Sequence, residues 1–171
     1  MNISGRVYRL APDMLDNVNT DAMIAGRYLR IPKEELGAHA FEGVIDDFPA
    51  IAEQHPVLVG GANMGCGSSR EQAVHALRGS GVKLVIAQSF GYIFFRNSLN
   101  LGLALLQVPD RAVIEALATG DEVEVDLASG TLIRAGTPLW QGAPLPEHLL
   151  QILGAGGILS LLRTNPGALV Q

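Results

Sequence analysis

One twelve-residue stretch constrains this chain more than any other: Gly60-Gly61-Ala62-Asn63-Met64-Gly65-Cys66-Gly67-Ser68-Ser69-Arg70-Glu71 sets four glycines and two serines between an apolar run and a helical pattern. The run before it, Pro56-Val57-Leu58-Val59, is short and unbroken, which predicts a strand buried on both faces. After it, Ala73, Val74 and Leu77 form an apolar stripe beside Glu71 and Arg78, predicting a helix over 69–78 that Gly79-Ser80-Gly81 terminates. Residues 82–87 read as a second buried strand. Strand, glycine loop, helix, strand is the order of a crossover between parallel strands, so the chain is predicted to be α/β.

The flanks fit around that centre. Ile3, Val7 and Leu10 among polar neighbours predict an opening strand, followed by a polar loop through Asp16-Asn17-Val18-Asn19-Thr20-Asp21. Pro32 before Lys33, Glu34, Glu35 and Leu36 predicts a short helix that Gly37 ends. A helix over 90–100, a strand over 103–108 and a helix over 111–117 extend the α/β pattern. A hairpin follows, with strands over 122–127 and 131–133 joined by Ser129-Gly130. Two helices, over 147–153 and 158–163, close the chain.

With 171 residues, 48% hydrophobic and 17% charged, the chain is predicted to form one domain over 1–171 with a substantial core. A net charge of −5 and no run of lysine or arginine argue against nucleic-acid binding. No stretch reaches about 18 uninterrupted apolar residues, and residues 1–10 alternate polar and apolar, so a soluble cytoplasmic protein without a membrane anchor is expected. Cys66 is the only cysteine, which excludes an internal disulfide and cannot supply the thiolates of a zinc or iron–sulfur site. Any cluster has to come from elsewhere.

The glycine loop has chemical consequences. Its glycines let backbone approach a ligand, the first-turn N–H groups of the following helix point at an anion, and the planar fork of Arg70 matches a carboxylate. Phosphate-binding motifs fail on the same residues: no lysine follows Gly67, and the glycine spacing is not that of a dinucleotide fingerprint. The serine-hydrolase elbow fails too, because Arg70 and Glu71 stand where its second glycine belongs. Ser68 has two readings from spacing alone. Ser68-Ser69-Arg70-Glu71 fits a capping box, with a cap contributing about 1 kcal/mol, or Ser68 presents its hydroxyl to a bound acid.

The stretch Asn63 to Glu71, with Gly65, Gly67 and Ser68, resembles the serine-containing signature of the aconitase superfamily, and Asp16 to Asp21 resembles its second one. Size, order and spacing resemble the separately encoded small subunits of isopropylmalate dehydratase and homoaconitase, from about Gly5 to Val108. The resemblance implies a swivelling domain of three layers, β/β/α with a parallel-containing central sheet, closing over a 4Fe-4S cluster held by a large subunit. It implies that this chain binds no cofactor itself and is active only with that partner, on a small hydroxy-dicarboxylate or tricarboxylate. Ser68 is then the base that removes the proton beside a substrate carboxylate. Ser69 then helps bind substrate or holds the loop, Arg70 clamps a carboxylate, and Thr20 and Asp21 orient the groups that bind substrate, against a plain Asx-type turn as the simpler reading.

Arg30 matches the family's specificity loop, where an arginine goes with reading an additional carboxylate; here Ile31 follows it. An arginine facing an isopropyl group costs several kcal/mol as a buried unpaired cation unless it turns to solvent or to a nearby acid. Tyr92 stands where the family often carries an arginine, while Phe90, Ile93 and Phe94 are expected in the core of their helix. Cys66 reads as a packing residue, and His39, His55, His75 and His148 show no metal-ligand spacing. The leading expectation is a hydro-lyase subunit that interconverts 2- and 3-isopropylmalate in leucine biosynthesis. Homoaconitase or another substituted-malate dehydratase is the alternative within the class, and a stand-alone carboxylate-binding regulatory module the alternative outside it. Apolar surface at the swivel edge suggests self-association.

Overall fold

The opening strand, β1 (Asn2–Arg9), is shared between two halves of one sheet. Residues Val7 to Arg9 pair in parallel with β2 (Val57–Val59), whereas Asn2 to Arg6 pair antiparallel with β5 (Glu122–Asp126). The computed structural model describes residues 1–167, and in it β3 (Leu84–Ala87) and β4 (Ala104–Gln107) continue the parallel half. On the other side β6 (Thr131–Arg134) and β7 (Thr137–Gln141) continue the antiparallel half, giving the order β4-β3-β2-β1-β5-β6-β7.

Burial explains the division. All of β2 and β3 and the first three residues of β4 are buried, as befits parallel strands covered on both faces, while β5 buries only Val123 and Val125. The crossovers are α3 (Glu71–Gly79), which buries Ala73, Val74, Ala76 and Leu77, and α4 (Tyr92–Asn100), which packs on α3 and on β4. Helices α5 (Arg111–Ala116), α6 (Glu147–Gly154) and α7 (Ile158–Thr164) follow. The two sheet halves and the helical layer make the α/β swivel-domain arrangement, as expected. No helix among the described residues is long and apolar enough to cross a membrane.

Two local expectations are corrected. Residues 33–35 form turns, not a helix, and a 3-10 helix runs Leu36–His39. Gly37 is not a stop signal: a Cβ there would sit 2.2 Å from the Gly79 backbone, so its role is to let this segment lie against the end of α3. Two further elements were not expected from the sequence. Helix α2 (Phe48–Gln54) is anchored by buried Phe48 and Ala52. Strand β7 contains Pro138, which an edge strand tolerates because no outward N–H is needed there. Ala135 and Gly136, both at positive φ, form the two-residue turn that returns β6 into β7.

Candidate active site

Strands β1, β2 and β3 run parallel, so the segments leaving them at Leu10, Gly60 and Gln88 emerge at one edge, the usual place for a ligand crevice in such sheets. There the glycine loop runs between the other two like an additional strand. On one side Gly61 N–H donates to Leu15 O (2.7 Å), Asn17 N–H to Ala62 O (2.8 Å), Gly65 N–H to Val18 O (2.7 Å) and Thr20 N–H to Cys66 O (3.0 Å). On the other, Met64 N–H donates to Ser89 O (2.9 Å) and Gly91 N–H to Met64 O (2.8 Å).

Two glycines serve different needs. Gly65 has φ 76° and no room, since a Cβ would lie 2.1 Å from the Phe94 ring. Gly67 has φ 91° but open space, its nearest neighbour being Asn19 Cβ at 3.5 Å, so it is required for conformation alone. Asn63 takes a left-handed φ of 57°, which asparagine tolerates, and its Nδ2 donates to Asn17 Oδ1 at 3.0 Å.

Ser68 and Ser69 are exposed on this edge. Ser68 does not cap α3. The N-cap is Arg70, in extended conformation, and it makes no side-chain capping bond, so the capping-box reading is corrected. The Ser68 hydroxyl instead lies 3.3 Å from the hydroxyl of Thr20, which is 1% exposed. Thr20 Oγ1–H donates to the Ser68 carbonyl at 2.9 Å. With its one proton so used, Thr20 Oγ1 is left to accept from Ser68 Oγ–H.

Thr20 begins α1 (Thr20–Met23), a short helix whose N-cap is Asn19: its side chain accepts from Ala22 N–H. An Asx-type cap is therefore present, but at Asn19 and not at the two residues singled out. Asp21 is ion-paired with Arg70, whose Nη1 also donates to Ile24 O at 3.3 Å. Thr20, Asp21, Ser68 and Arg70 thus converge. Arg30 does not join them: it is exposed on a turn and makes no ion pair or side-chain hydrogen bond among the described residues.

Two supports near this edge have no signature in the sequence. The Asp16 carboxylate accepts from Ala62 N–H (2.7 Å) and from Arg111 Nη1 (2.6 Å), and these bonds, the backbone one first, hold it below the usual carboxylate range. A Cβ on Gly61 would collide with that carboxylate at 1.9 Å. The second support gathers Arg27, Tyr28 and His39 around Glu42. Neither has a local motif: the first joins residues 46 and 95 positions apart, and the second brings Arg27 and Tyr28 across a loop to the His39–Glu42 pair. Tyr92 and Ile93 are exposed at the start of α4, so Ile93 is not the core residue expected, whereas Phe94 is buried.

An iron–sulfur cluster needs three or four ligands, mostly thiolates. The one thiol, Cys66, donates to Asn17 O at 3.4 Å, and no three His, Cys, Asp or Glu side chains converge for a metal among the described residues. The residues present do not fit such a cluster.

Residues 10–111 match the family model described as the aconitase C-terminal domain. The chain is 42% identical over 163 residues to the 3-isopropylmalate dehydratase small subunit of Methanosarcina mazei, covering 94% of this chain and 96% of that protein. It is also 42% identical over 161 residues to the methanogen homoaconitase small subunit of Methanothermobacter thermautotrophicus, with 92% and 89% covered. A crystal structure of 3-isopropylmalate dehydratase from Methanocaldococcus jannaschii superposes with a TM-score of 0.80 at 37% identity, covering 97% of this chain and 96% of that one.

Proposed function

The chain belongs to the aconitase C-terminal domain family, as a small subunit of the isopropylmalate dehydratase type, and from that premise we propose that it supplies the base and a carboxylate clamp for interconverting 2- and 3-isopropylmalate in leucine biosynthesis. The observation that carries this reading is the convergence of the Thr20–Ser68 hydroxyl pair with the Asp21–Arg70 ion pair on one open edge.

In the dehydration direction, Ser68 Oγ, as the alkoxide, takes the proton from the carbon beside a substrate carboxylate. The C–H electron pair becomes the new double bond as hydroxide leaves the neighbouring carbon, and rehydration with the opposite regiochemistry completes the isomerisation. A serine alkoxide needs strong stabilisation, and Arg70 together with the first-turn amides of α3 supplies positive potential next to it. Thr20 fixes the Ser68 main chain through the bond to its carbonyl. Arg70 clamps the carboxylate, held in place by Asp21, and Ser69 adds a hydroxyl contact. Asn63, Gly65 and Gly67 shape the loop.

These residues do not account for the departing hydroxide, and Ser68 stands open to water. Both deficits are met by a large subunit that carries a 4Fe-4S cluster, supplies Lewis-acid chemistry and closes over this edge. A single domain acting in the cytoplasm is part of the same reading. Self-association belongs to the same reading, Val44, Tyr92, Ile93 and Leu159 being among the large apolar side chains that are exposed.

A second reading, homoaconitase, is favoured by Arg30, whose guanidinium has no partner among the described residues and suits an additional substrate carboxylate. Assay of the chain alone and reconstituted anaerobically with its large subunit, on isopropylmalate and homoisocitrate, decides between them. Turnover only in the mixture supports the subunit reading, and the faster substrate assigns Arg30. A complex with an intact cluster that turns over neither substrate leaves the carboxylate-binding module, in which Ser68→Ala retains affinity for the acid.

A further inference from the structure

The segment leading to Arg30 is tied down at two points. At its start, Arg70 Nη1 donates to Ile24 O at 3.3 Å, so the residue proposed to clamp substrate also holds the beginning of this loop. Two residues before Arg30, the chain is held by a single carboxylate. Glu42 Oε1 accepts from Tyr28 Oη at 2.5 Å and from Arg27 Nη2 at 2.9 Å, while Glu42 Oε2 lies 2.5 Å from His39 Nδ1.

The rings reinforce the carboxylate. Tyr28 stacks on His39 with centroids 3.8 Å apart and planes 14° from parallel, and the Arg27 guanidinium covers the Tyr28 ring at 4.8 Å. Arg27, Tyr28 and His39 form a stack that Glu42 closes from the side. Its base is rigid: Phe41, beside Glu42, is fully buried against Phe48 and donates its N–H to Met23 O at 2.9 Å, at the end of α1. Core, clasp and α1 are therefore linked, and Arg30 follows on an exposed turn two residues after Tyr28.

Charge-assisted bonds from three side chains to one carboxylate are more than an exposed turn of this length needs for folding. Arg30, by contrast, has no partner to hold it among the described residues. We propose that Glu42 is a positioning residue for substrate selection: by clasping Arg27, Tyr28 and His39 it sets where Arg30 stands relative to the Ser68–Arg70 edge. This rests on the isomerase reading above. Glu42 touches no reacting atom, so it governs which substituent on the hydroxy acid is accepted and leaves proton transfer alone.

The test uses the chain reconstituted with its large subunit, as wild type, Glu42→Ala, Glu42→Gln and Tyr28→Phe, assayed on isopropylmalate and homoisocitrate. In parallel, trypsin cleavage after Arg27 and Arg30 is followed in the chain alone. Glu42→Ala is expected to speed cleavage at both arginines and to change the ratio of kcat/KM between the two acids by about tenfold, mainly through KM, with kcat within about threefold. Glu42→Gln, whose amide oxygen still accepts from Tyr28 and Arg27, is expected to recover part of that ratio, and Tyr28→Phe to lie between. Faster cleavage with an unchanged ratio overturns the proposal, because the clasp then holds the loop without selecting substrate. Unchanged cleavage also overturns it. A wild-type complex that turns over neither acid removes the isomerase reading and the selective role with it, and differs visibly from a wild type that works while its variants show no shift.

Discussion

Thr20 Oγ1 and Ser68 Oγ lie 3.3 Å apart although 48 residues separate them in the chain, and the first is buried while the second is open to solvent. The buried threonine thus fixes the main chain that carries the surface serine. Thr20→Val keeps the shape and removes the donor to the Ser68 carbonyl. It is expected to lower kcat about tenfold with KM within about threefold, and to cost about 1 kcal/mol of stability. Steady-state kinetics of the reconstituted enzyme beside a urea titration of the chain separates the two effects.

Ser68→Ala should behave in the opposite way. Since Ser68 is exposed and does not cap α3, its removal is expected to change stability by no more than about 0.5 kcal/mol. Turnover should fall by roughly 10²–10⁴-fold, the range for a lost general base. A loss of about 1 kcal/mol with activity retained would restore the capping reading.

The two left-handed glycines of the loop make a paired comparison. Gly67→Ala meets only the conformational penalty of its φ, about 1 kcal/mol. Gly65→Ala adds collision with the Phe94 ring, for which overpacking contributes a further ~1–3 kcal/mol. Denaturant midpoints should rank wild type above Gly67→Ala and Gly67→Ala above Gly65→Ala. Equal midpoints would show that Phe94 moves aside without cost.

Asp16 gives an acid-limb prediction. Its carboxyl is held below the ordinary value by the Ala62 N–H first and then by Arg111. A depressed folded-state pKa adds stability that is present above the unfolded value and is lost as pH falls through the folded one. Asp16→Asn should therefore be less stable than wild type at neutral pH and converge with it in acid. Because the side chain is 40% exposed, screening limits the difference to about 1 kcal/mol. Thermal melts from pH 7 down to about pH 2 would reveal a gap that fails to close, if the carboxyl's charge is not its source.

Much of this was legible in the sequence because it is local. The apolar run 57–59, the glycine loop and the stripe through Ala73, Val74 and Leu77 announced the crossover that places Ser68 at a sheet edge. What stayed hidden depends on pairing at a distance. Ser68-Ser69-Arg70-Glu71 satisfies a capping pattern, yet the bridge between Asn19 and Cys66 and the Thr20 bond to Ser68 O tie this stretch to the neighbouring loop, and α3 starts only after Arg70. Pro138 is unfavourable within a strand, and the edge position of β7 is what accommodates it. Glu42 carried no signal at all, being one acid on a turn until Tyr28 and His39 stack beside it.

The sharing of β1 between two halves bears on the order in which the protein can assemble during synthesis. Residues Val7 to Arg9 find β2 after about fifty further residues, but Asn2 to Arg6 must wait for Glu122 to Asp126. At roughly 5–20 residues per second of translation, that leaves an open strand edge for about 5–20 s in the nascent chain. The exposed side chains on that stretch, Asn2, Ser4 and Arg6, are all polar, which makes the waiting edge a poor template for aggregation with neighbouring chains.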